Sequence, residues 1–348
     1  MTIFELHNRH MRKIQNPLLT EYNTFHLPAR AREMVIIESA TDYEELFQEY
    51  DLKSHKILVL GEGSNILFRE NFDGLIITSI MDGIIVMDQN AKYAWIEVDA
   101  GLNWHKLVTD TIDMGFQGLE NLSLIPGKVG AAPMQNIGAY GVEIGQFIDS
   151  VVAMDIRTGK TLTFLKDECR FGYRTSIFKT TYKDKLIIQS VRLRLNKIPE
   201  YNITYERIRE TLDQLGIREL TAASISQAVI RIRQNKLPDP GRIGNAGSFF
   251  KNPVIDRTDF EGLKAEFPDI VGYNTGREEV KIAAAWLIEQ CGWKGKRVNG
   301  AGVHHQHALV LVNYGEATGI EIYALSEKIM ESVAAKFGIA LEREVNII

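Results

Sequence analysis

The sequence predicts a multidomain protein of the α+β class, and three observations support this prediction. The chain has 348 residues, whereas single hydrophobic cores stop growing at roughly 250 to 300 residues. Short β-branched or alternating runs are interspersed with amphipathic segments of helical period. The sequence LPDPG at 237–241 ends a helical pattern and is the best linker candidate in the chain. We therefore expect two or three domains.

The overall composition is that of a globular protein. Hydrophobic residues make up 45% and charged residues 24% of the chain, which disfavours a disordered, collagen-like or coiled-coil protein. The formal net charge is −5 and the pI is about 6.0, so nothing in the total charge favours binding to nucleic acid or an anionic membrane. An anionic substrate would need a local basic pocket.

Cysteine usage and the N-terminal sequence predict a cytoplasmic protein. Cys169 and Cys291 do not form a CxxC pair and are too few for a disulfide framework. Residues 1–22 are expected to form a polar extension, and they lack the apolar core of a signal peptide. No apolar run reaches the ~18 residues of a membrane span. We expect a monomer with no nucleic-acid or membrane partner.

The first part of the chain alternates strands and helices. We predict strands at 33–38, 56–60, 74–86 and 94–98, and helices at 41–52 and 103–114. Thr41 is expected to cap the first helix, with Glu44 completing a capping box.

Two loops in this region have the composition of ligand-binding segments. GEGSNILF at 61–68 follows a strand and could cradle a phosphate with its N–H groups, although the third glycine and the helix of a dinucleotide-binding fold are missing. Residues 118–145 are rich in Gly, Ala, Asn and Pro and are too long for a plain connector. Apolar residues within that loop argue against a mobile surface linker, so it is expected to wrap a large, flat, partly apolar ligand.

Basic residues in the middle of the chain leave two interpretations open. Strands are predicted within 150–195, and helices at 203–215 and 224–236. Arg174 lies in CRFGYRTSIFK and is either a ligand contact or an edge arginine stacked on Tyr173. Arg233 and Lys236 lie one turn apart near the end of a predicted helix, where phosphate binding and simple compensation of the helix dipole are equally good explanations.

The last part of the chain is predicted to contain two helices and two strands. The helices are expected at 278–292, closed by Gly292, and from a Thr318/Glu321 capping box to Gly338; the strands are expected at 301–313 and at the C-terminus. Within the first of these strands, only His305 and His307 would share a face, and no cysteine or close carboxylate completes a zinc site. A metal centre is therefore disfavoured.

GNAGSFFKNP at 244–253 is the strongest candidate for a reactive site. Ser248 lies between small residues that permit close backbone approach to a ligand, although a tight turn before a strand would have the same composition. The sequence is not a GxSxG nucleophile elbow, so hydrolysis is disfavoured. Glu344 is expected to share a strand face with Glu342, either as a catalytic group or as a solvated carboxylate.

In this order, the motifs resemble the UDP-N-acetylenolpyruvoylglucosamine reductases. The resemblance extends from about Asn23 to Ile348 and rests on NTF, GEGSNILF, AGLNWH, GLENLSLIPGKVGAAPMQNIGAYGVE, CRFGYRTSIFK, KLPDP, GNAGSFFKNP and LEREV. The ITYERI stretch with Tyr205 resembles type I of this family, which has an extra tyrosine-bearing segment.

The resemblance implies an FAD-binding part of the PCMH or vanillyl-alcohol-oxidase type, made of two subdomains, and a third α/β domain that binds substrate. The implied domains are an N-terminal extension at 1–22, a first FAD subdomain at 23–80 joined by 339–348, a second FAD subdomain at 81–237, and a substrate domain at 238–338.

The resemblance also implies a reaction. NADPH reduces FAD, and a hydride then passes from flavin N5 to C3 of the enolpyruvyl ether in UDP-N-acetylglucosamine enolpyruvate. Ser248 would donate a proton to C2, while Arg174 and Glu344 would contact the substrate carboxylate. Glu344 could help only if protonated or sharing a hydrogen bond, so the resemblance predicts a raised pKa for it. The rival hypothesis is a non-catalytic sugar-nucleotide-binding protein on the same scaffold.

The remaining residues implied by the resemblance contact cofactor or nucleotide. The cofactor set is Gly61, Glu62, Gly63, Ser64, Asn65, Ile66, Leu67, Pro126, Gly127, Gly130, Asn136, Ile137, Gly138, Ala139 and Tyr140. The substrate set is Tyr205, Lys236, Asn252 and His307, with Arg233 as an additional basic candidate.

Overall fold

The structure is a computed structural model that describes residues 11–276 and 278–348. Its strands are β1 (Arg12–Gln15), β2 (Ala31–Ile37), β3 (Ile57–Val59), β4 (Ile66–Leu67), β5 (Phe72–Ser79), β6 (Ile84–Gln89), β7 (Tyr93–Asp99), β8 (Gly138–Ala139), β9 (Val142–Glu143), β10 (Ile148–Asp155), β11 (Thr161–Leu165), β12 (Leu186–Asn196), β13 (Gly244–Ser248), β14 (Val254–Asp256), β15 (Gly272–Asn274), β16 (Glu279–Ile282), β17 (Arg297–Val298), β18 (Ala301–Val303), β19 (Val310–Asn313) and β20 (Asn346–Ile347). The α-helices are α1 (Ala40–Glu49), α2 (Trp104–Asp113), α3 (Glu206–Gln214), α4 (Ala222–Lys236), α5 (Arg257–Glu266), α6 (Ala284–Gln290) and α7 (Gly319–Phe337).

The chain folds into two compact units. Of the described residues, unit 1 contains 11–17, 31–62 and 73–233, and unit 2 contains 18–30, 63–72, 234–276 and 278–348. Each unit is built from more than one stretch of chain. The division into an extension, two FAD subdomains and a substrate domain stays a prediction.

Unit 1 contains two larger sheets. One has the strand order β1-β2-β5-β3, with β3 parallel to β5, and α1 packs on it through Tyr43 and Leu46. The other is an antiparallel sheet with the order β11-β10-β12-β7-β6. Trp104 and Leu107 of α2 join the buried cluster that β7 and β12 contribute to, which fixes the first turn of α2 in the core. A third buried cluster joins α3 and α4.

Unit 2 is built around an antiparallel sheet with the order β13-β19-β18-β17. One hydrophobic cluster contains Phe249 and Phe250 from the β13 segment, Leu311 from β19, and Ile322 and Ile329 from α7. A second antiparallel sheet, β14-β16-β15, lies between β13 and α6 in sequence. The short strands β4 and β20 pair in parallel, which confirms that the C-terminus is paired in a sheet. The strand covers only Asn346–Ile347, so the prediction that Glu342 and Glu344 share a strand face was wrong.

The capping box of α7 was predicted correctly, and α2 was predicted at 103–114 without a named capping residue. Asn103 precedes α2 and its side chain accepts the N–H of Lys106. Thr318 and Glu321 form the capping box of α7, which ends at Gly338 with φ at +67°. Among the described residues, no helix has both the length and the apolarity that crossing a membrane requires.

The cap of α1 was predicted at the wrong residues. Helix α1 begins at Ala40 with Ser39 as its N-cap, instead of beginning after Thr41. The carboxylate of Asp42 accepts the N–H groups of Glu38 and Ser39 at 2.7 and 3.1 Å. Asp42 therefore takes the place that was assigned to Glu44.

The predicted helix at 278–292 was wrong in its first part. Residues Glu279–Ile282 form β16, with Val280 and Ile282 buried, and the helix α6 begins only at Ala284. The alternating sequence EVKI is a strand pattern, and it was obscured by the alanines that follow. Gly292 lies beyond α6 with φ at +73°.

The predicted continuous strand at 301–313 was also wrong. It is a hairpin of β18 and β19, in which Gly302 lies opposite Val312. The connection contains His304, His305 and His307, and the N–H of Val310 donates to the carbonyl of His307 at 3.0 Å. The argument that two of the histidines share a strand face therefore does not apply.

The N-terminal extension was predicted to lack regular structure, which was wrong for residues 12–15. They form β1, which pairs with β2.

Candidate active site

The two loops with ligand-binding composition meet in unit 1. The carboxylate of Glu62 accepts the N–H of Gly127 at 2.9 Å and the side-chain amide of Asn103 at 2.6 Å. Lys128 is partly buried and donates from Nζ to the carbonyl of Ser79 at 2.6 Å. Burial lowers the pKa of Lys128, and the nearby Glu62 opposes that shift. Glu62 thus connects loop 61–62 to loop 118–145 and to the start of α2.

The junction of these loops has features that fit a phosphate-containing cofactor. The N–H groups of Gly61 and Glu62 have no hydrogen-bond partner within the described part of the chain. Successive unpaired N–H groups form a concavity that binds anions. At Gly130, an added Cβ would lie 2.7 Å from the Cβ of Ala100, so only glycine permits this close approach.

Asn136 has a supporting role inside the longer loop. It is buried with φ at +48°. Its side-chain amide donates to Glu143 at 2.8 Å and to the carbonyl of Gly172 at 3.1 Å, while its oxygen accepts the N–H of Gly145 at 2.8 Å. Three protein partners occupy this side chain, so Asn136 fixes the loop conformation.

The other loop residues of the implied cofactor set are placed by short backbone elements. Gly138 and Ala139 form β8 opposite β9. Ile137 accepts the N–H of Ile144 at 2.9 Å, and Pro126 is exposed.

The remaining cofactor candidates lie in unit 2. Gly63 has φ at +63° and approaches Tyr22 so closely that an added Cβ would lie 2.1 Å from its carbonyl oxygen. Asn65 donates from its side chain to the carbonyl of Glu344 at 3.3 Å, and its own carbonyl accepts the N–H of Asn346 at 3.0 Å. Ser64 lies between these residues, and Ile66 and Leu67 form β4. This segment therefore holds the C-terminal strand.

Arg174 lies in a tight turn of unit 1. Its φ is +54°, a conformation that is strained for a residue with a side chain. Its guanidinium donates to the carbonyl of Gly138 at 2.9 Å and also lies 5.6 Å from the ring centroid of Tyr173. Arg174 therefore stacks on Tyr173 and also contacts the longer loop through the carbonyl of Gly138.

Arg233 forms a cluster with Arg174 and two tyrosines. Its Nε donates to the carbonyl of Leu124 at 3.1 Å, and Tyr140 is a neighbour of its guanidinium. Burial lowers the pKa of Arg233, the phenol of Tyr140 opposes this, and the positive charge of Arg174 lowers it further. The rings of Tyr140 and Tyr205 pack edge to face at 5.1 Å. We call Arg174, Arg233, Tyr140 and Tyr205 the cationic cluster.

Ser248 lies at the end of β13 in unit 2. It is opposite Val310, after an irregularity in the strand register. Gly247 has φ at +67°, and its N–H donates to the side chain of Asn245 at 2.9 Å. The Ser248 hydroxyl has no hydrogen-bond partner among the residues that the structure describes. The segment is therefore a strand with a bulge, and its hydroxyl remains available to a ligand.

The C-terminal segment runs beside the residues that follow Ser248. The N–H of Glu344 donates to the carbonyl of Phe249, and the N–H of Lys251 to the carbonyl of Glu342, both at 2.9 Å. The side chains of Lys251 and Glu342 form an ion pair. Unit 2 therefore brings the segments of Ser248 and Glu344 side by side.

The predicted nucleotide contacts of unit 2 have protein partners of their own. The side-chain oxygen of Asn252 accepts the N–H of Ala284 at 3.0 Å, at the first residue of α6. Burial, followed by the charge of Lys236, lowers the pKa of His307 to about 4. Its Nδ1 accepts the N–H of Leu309 at 3.3 Å, so this imidazole is neutral at neutral pH. Within 11–276 and 278–348, no group of three metal-binding side chains comes together.

Sequence reasoning assigned no role to the AGLNWH motif, although three of its residues contact the loops. Asn103 donates to Glu62, Trp104 donates from its indole to the carbonyl of Leu122 at 2.9 Å, and His105 accepts the N–H of Leu124 at 3.1 Å. The available signal was three consecutive side chains with hydrogen-bonding groups at the start of a helix. Their partners lie up to 41 residues away and could not be read from the pattern.

Comparison with known proteins identifies the family. Residues 239–348 match the C-terminal domain of UDP-N-acetylenolpyruvoylglucosamine reductase, and residues 31–164 match an FAD binding domain. The reductase of Amoebophilus asiaticus is 47% identical over 96% of this chain and 98% of its own length. That of Flavobacterium johnsoniae is 46% identical over 95% and 98%. The chain belongs to the UDP-N-acetylenolpyruvoylglucosamine reductase family.

Membership in the reductase family confirms several expectations. The chain is an enzyme and an oxidoreductase, with FAD as its cofactor. The α+β fold class, with an FAD-binding part and a separate C-terminal domain, is confirmed as well. The solved reductase structure from Thermus caldophilus is similar in fold, with a TM-score of 0.64 and 24% identity over 97% of this chain and 98% of that chain.

Proposed function

We propose that the chain reduces UDP-N-acetylglucosamine enolpyruvate to UDP-N-acetylmuramate, a peptidoglycan precursor, with NADPH as reductant. Its relatives are named for this reductase activity. The structural observation that supports the proposal best is the environment of Arg233. Its hydrogen-bond partners among the described residues are neutral, and Arg174 is a neighbouring cation. Such an environment favours an anionic ligand, and the proposed substrate carries a carboxylate and a diphosphate.

The FAD-binding role rests on the loops of unit 1. When bound, FAD supplies the hydride for C3 of the enolpyruvyl group, having been reduced by NADPH. The N–H groups of Gly61 and Glu62 bind its diphosphate. The longer loop from Pro126 to Tyr140 lines the cofactor, with Asn136 holding that loop in place.

Arg174 stabilises the negative charge that develops on the substrate. Addition of a hydride at C3 leaves a carbanion at C2, which is delocalised into the carboxylate as an enolate. A guanidinium keeps its charge and can donate two parallel N–H groups to a carboxylate. Groups that are fixed before the reaction stabilise such charge most effectively, and the contact of Arg174 with Gly138 fixes this side chain.

Ser248 supplies the proton that completes the reduction. Its hydroxyl donates to C2 and then regains a proton from solvent, so one hydride and one proton add across the double bond. General acid catalysis requires hydrogen-bond reach to the acceptor atom, and the bulge at Gly247 sets the direction of this residue. Glu344 contacts the substrate carboxylate and its enolate form.

Nucleotide binding completes the proposal. Tyr205, Arg233, Lys236, Asn252 and His307 are the residues that we propose to contact the UDP part. The free Nδ2 group of Asn252 remains the suitable donor, because its oxygen caps α6. A cytoplasmic location and a monomeric state stay predictions.

The flavin half-reactions test the proposed function. Purified protein reconstituted with FAD should be yellow, should bleach with NADPH under anaerobic conditions, and should recover its colour with UDP-N-acetylglucosamine enolpyruvate. The product should be identified as UDP-N-acetylmuramate by mass spectrometry. A protein that binds the sugar nucleotide without reoxidising reduced flavin would instead be the non-catalytic binding protein.

A further inference from the structure

The first turn of α2 holds the longer loop of unit 1 at two neighbouring points. The indole of Trp104 donates to the carbonyl of Leu122, and Nδ1 of His105 accepts the N–H of Leu124 at 3.1 Å. Trp104 is buried in the core, so the helix start is a fixed support. His105 is only partly buried, and core packing alone does not explain its contact with the loop.

The backbone of Leu124 lies between His105 and Arg233. Its N–H donates to His105 and its carbonyl accepts Nε of Arg233 at 3.1 Å. Leu124 has φ at +59°, which costs free energy for a residue with a Cβ. Such a conformation persists only where surrounding contacts hold it, and the hydrogen bond to His105 is one of those contacts.

We propose that His105 is a positioning residue that orients Arg233 toward the anionic substrate through Leu124. This inference rests on the proposed function, because it assigns Arg233 to the sugar nucleotide. By accepting the N–H of Leu124, His105 keeps the carbonyl of Leu124 directed at the guanidinium.

The protonation state of His105 is consistent with this role. Its Nδ1 can accept a hydrogen bond only in the neutral imidazole with the proton on Nε2. Burial, followed by the positive charge of Arg233, lowers the pKa of His105. Both effects favour the neutral imidazole, and only a neutral ring can accept the N–H of Leu124.

Three substitutions separate positioning from general packing. His105→Asn keeps an acceptor near the position of Nδ1, whereas His105→Leu removes it, and His105→Gln moves the amide one bond further from the backbone. Equilibrium binding of UDP-N-acetylglucosamine enolpyruvate to the FAD-loaded enzyme would be measured by calorimetry without NADPH. His55→Leu is the matched control, because His55 bonds only locally, to the carbonyl of Asp51.

We expect His105→Leu and His105→Gln to weaken substrate binding about tenfold, the effect of losing one well-placed hydrogen bond. His105→Asn should stay within about threefold of the parent. The rate of flavin reduction by NADPH and the FAD content should not change. The proposal would be overturned if His105→Asn and His105→Leu lost substrate affinity equally, or if His105→Leu bound the substrate as tightly as the parent protein.

A second experiment tests the inference without relying on the substrate. Glycine adopts positive φ without strain, so Leu124→Gly should reduce the need for His105. We expect His105→Leu to lower the thermal midpoint clearly in the parent and much less in the Leu124→Gly background. Equal losses in both backgrounds would contradict the role of His105 at Leu124. If the parent protein binds no sugar nucleotide, the proposed function is wrong. The comparison of thermal midpoints still tests whether His105 supports the backbone of Leu124.

Discussion

The cationic cluster of unit 1 and the Ser248 segment of unit 2, residues 244–252, are built in opposite ways. Arg174 and Tyr140 both have positive φ. Arg233 donates to the backbone carbonyl of Leu124, whose φ is also positive. In contrast, Ser248 is placed by strand pairing with β19, and Glu344 by a backbone bond to Phe249. The charges therefore depend on loops that need support, whereas the proposed proton donor depends on the register of a sheet.

This difference predicts that one region mainly determines substrate affinity and the other mainly determines the rate of a chemical step. Variants of Arg233 and Tyr205 in the cationic cluster should change substrate affinity, because these side chains are proposed to contact the nucleotide part of the substrate. Variants of Ser248 should change the rate of one chemical step and leave affinity alone. The following predictions test that division, beginning with the largest expected effect.

Ser248→Ala should slow flavin reoxidation by the sugar nucleotide by about 10²- to 10⁴-fold, because a general acid is lost. Flavin reduction by NADPH needs no proton from this residue and should stay within about twofold. Anaerobic stopped-flow measurement of both half-reactions separates the two effects. A comparable loss in both would mean that Ser248 supports the structure of unit 2.

Arg233→Leu should weaken sugar-nucleotide binding by about 10- to 100-fold, since a charge-assisted contact is removed. Arg231 is exposed on the same helix, α4, so Arg231→Leu is the matched control and should bind normally. The dissociation constants can be measured by calorimetry. An effect on flavin reoxidation at saturating substrate, with unchanged affinity, would break the proposed division between the regions.

Gly130→Ala tests the close approach in the cofactor loop. The new methyl group would lie 2.7 Å from the Cβ of Ala100, and relieving such overpacking costs roughly 1 to 3 kcal/mol. We expect a lower thermal midpoint and a reduced FAD content per protein. Gly262→Ala on α5, where an added Cβ meets no atom within 4 Å, should keep both values. Normal FAD content in Gly130→Ala would argue against the proposal that the close approach at Gly130 is needed for cofactor binding.

The lowered pKa of His307 predicts a pH dependence of stability. Its pKa falls from 6.5 to about 4 because of burial, Lys236, His304 and Lys294. Between these values the unfolded chain binds a proton that the folded chain does not, so stability falls as the pH falls. At pH 5.5 this amounts to about 1 kcal/mol relative to pH 7.5.

His307→Gln should remove that pH-dependent loss. Denaturant unfolding of the parent and the variant at both pH values measures the difference. Equal pH dependence in the two proteins would show that His307 is not buried as a neutral group, and the assignment of its environment in unit 2 would be wrong.

Local sequence signals predicted much of the fold, because they act within one turn or one strand. The Thr318/Glu321 capping box is an example, since both partners lie within four residues of chain. The loops at 61–68 and 118–145 were also recognised from composition. However, the strand β16 was missed because its alternation spans only Glu279–Ile282, and the hairpin at His304 depends on pairing between two short strands.

The supports of the candidate site could not be predicted, because each one joins distant parts of the chain. Glu62 meets Gly127, and Arg233 meets Leu124 across 109 positions. Asn136 looked like a ligand donor, yet protein partners occupy its side chain. A polar residue in a glycine-rich loop has the same local pattern whether it contacts a ligand or holds the loop.

The pairing of β4 with β20 has a consequence for folding during translation. Asn65 and Glu344 are 279 positions apart, and closing such a large loop is slow because of its entropic cost. The cationic cluster needs no residue beyond Arg233, so it can assemble while the ribosome is still adding residues 234–348. The carboxylate of Glu344 joins its neighbours only after nearly the whole chain has emerged. A nascent chain can therefore position the arginines that we propose to bind anions well before the segment of its proposed proton donor is complete.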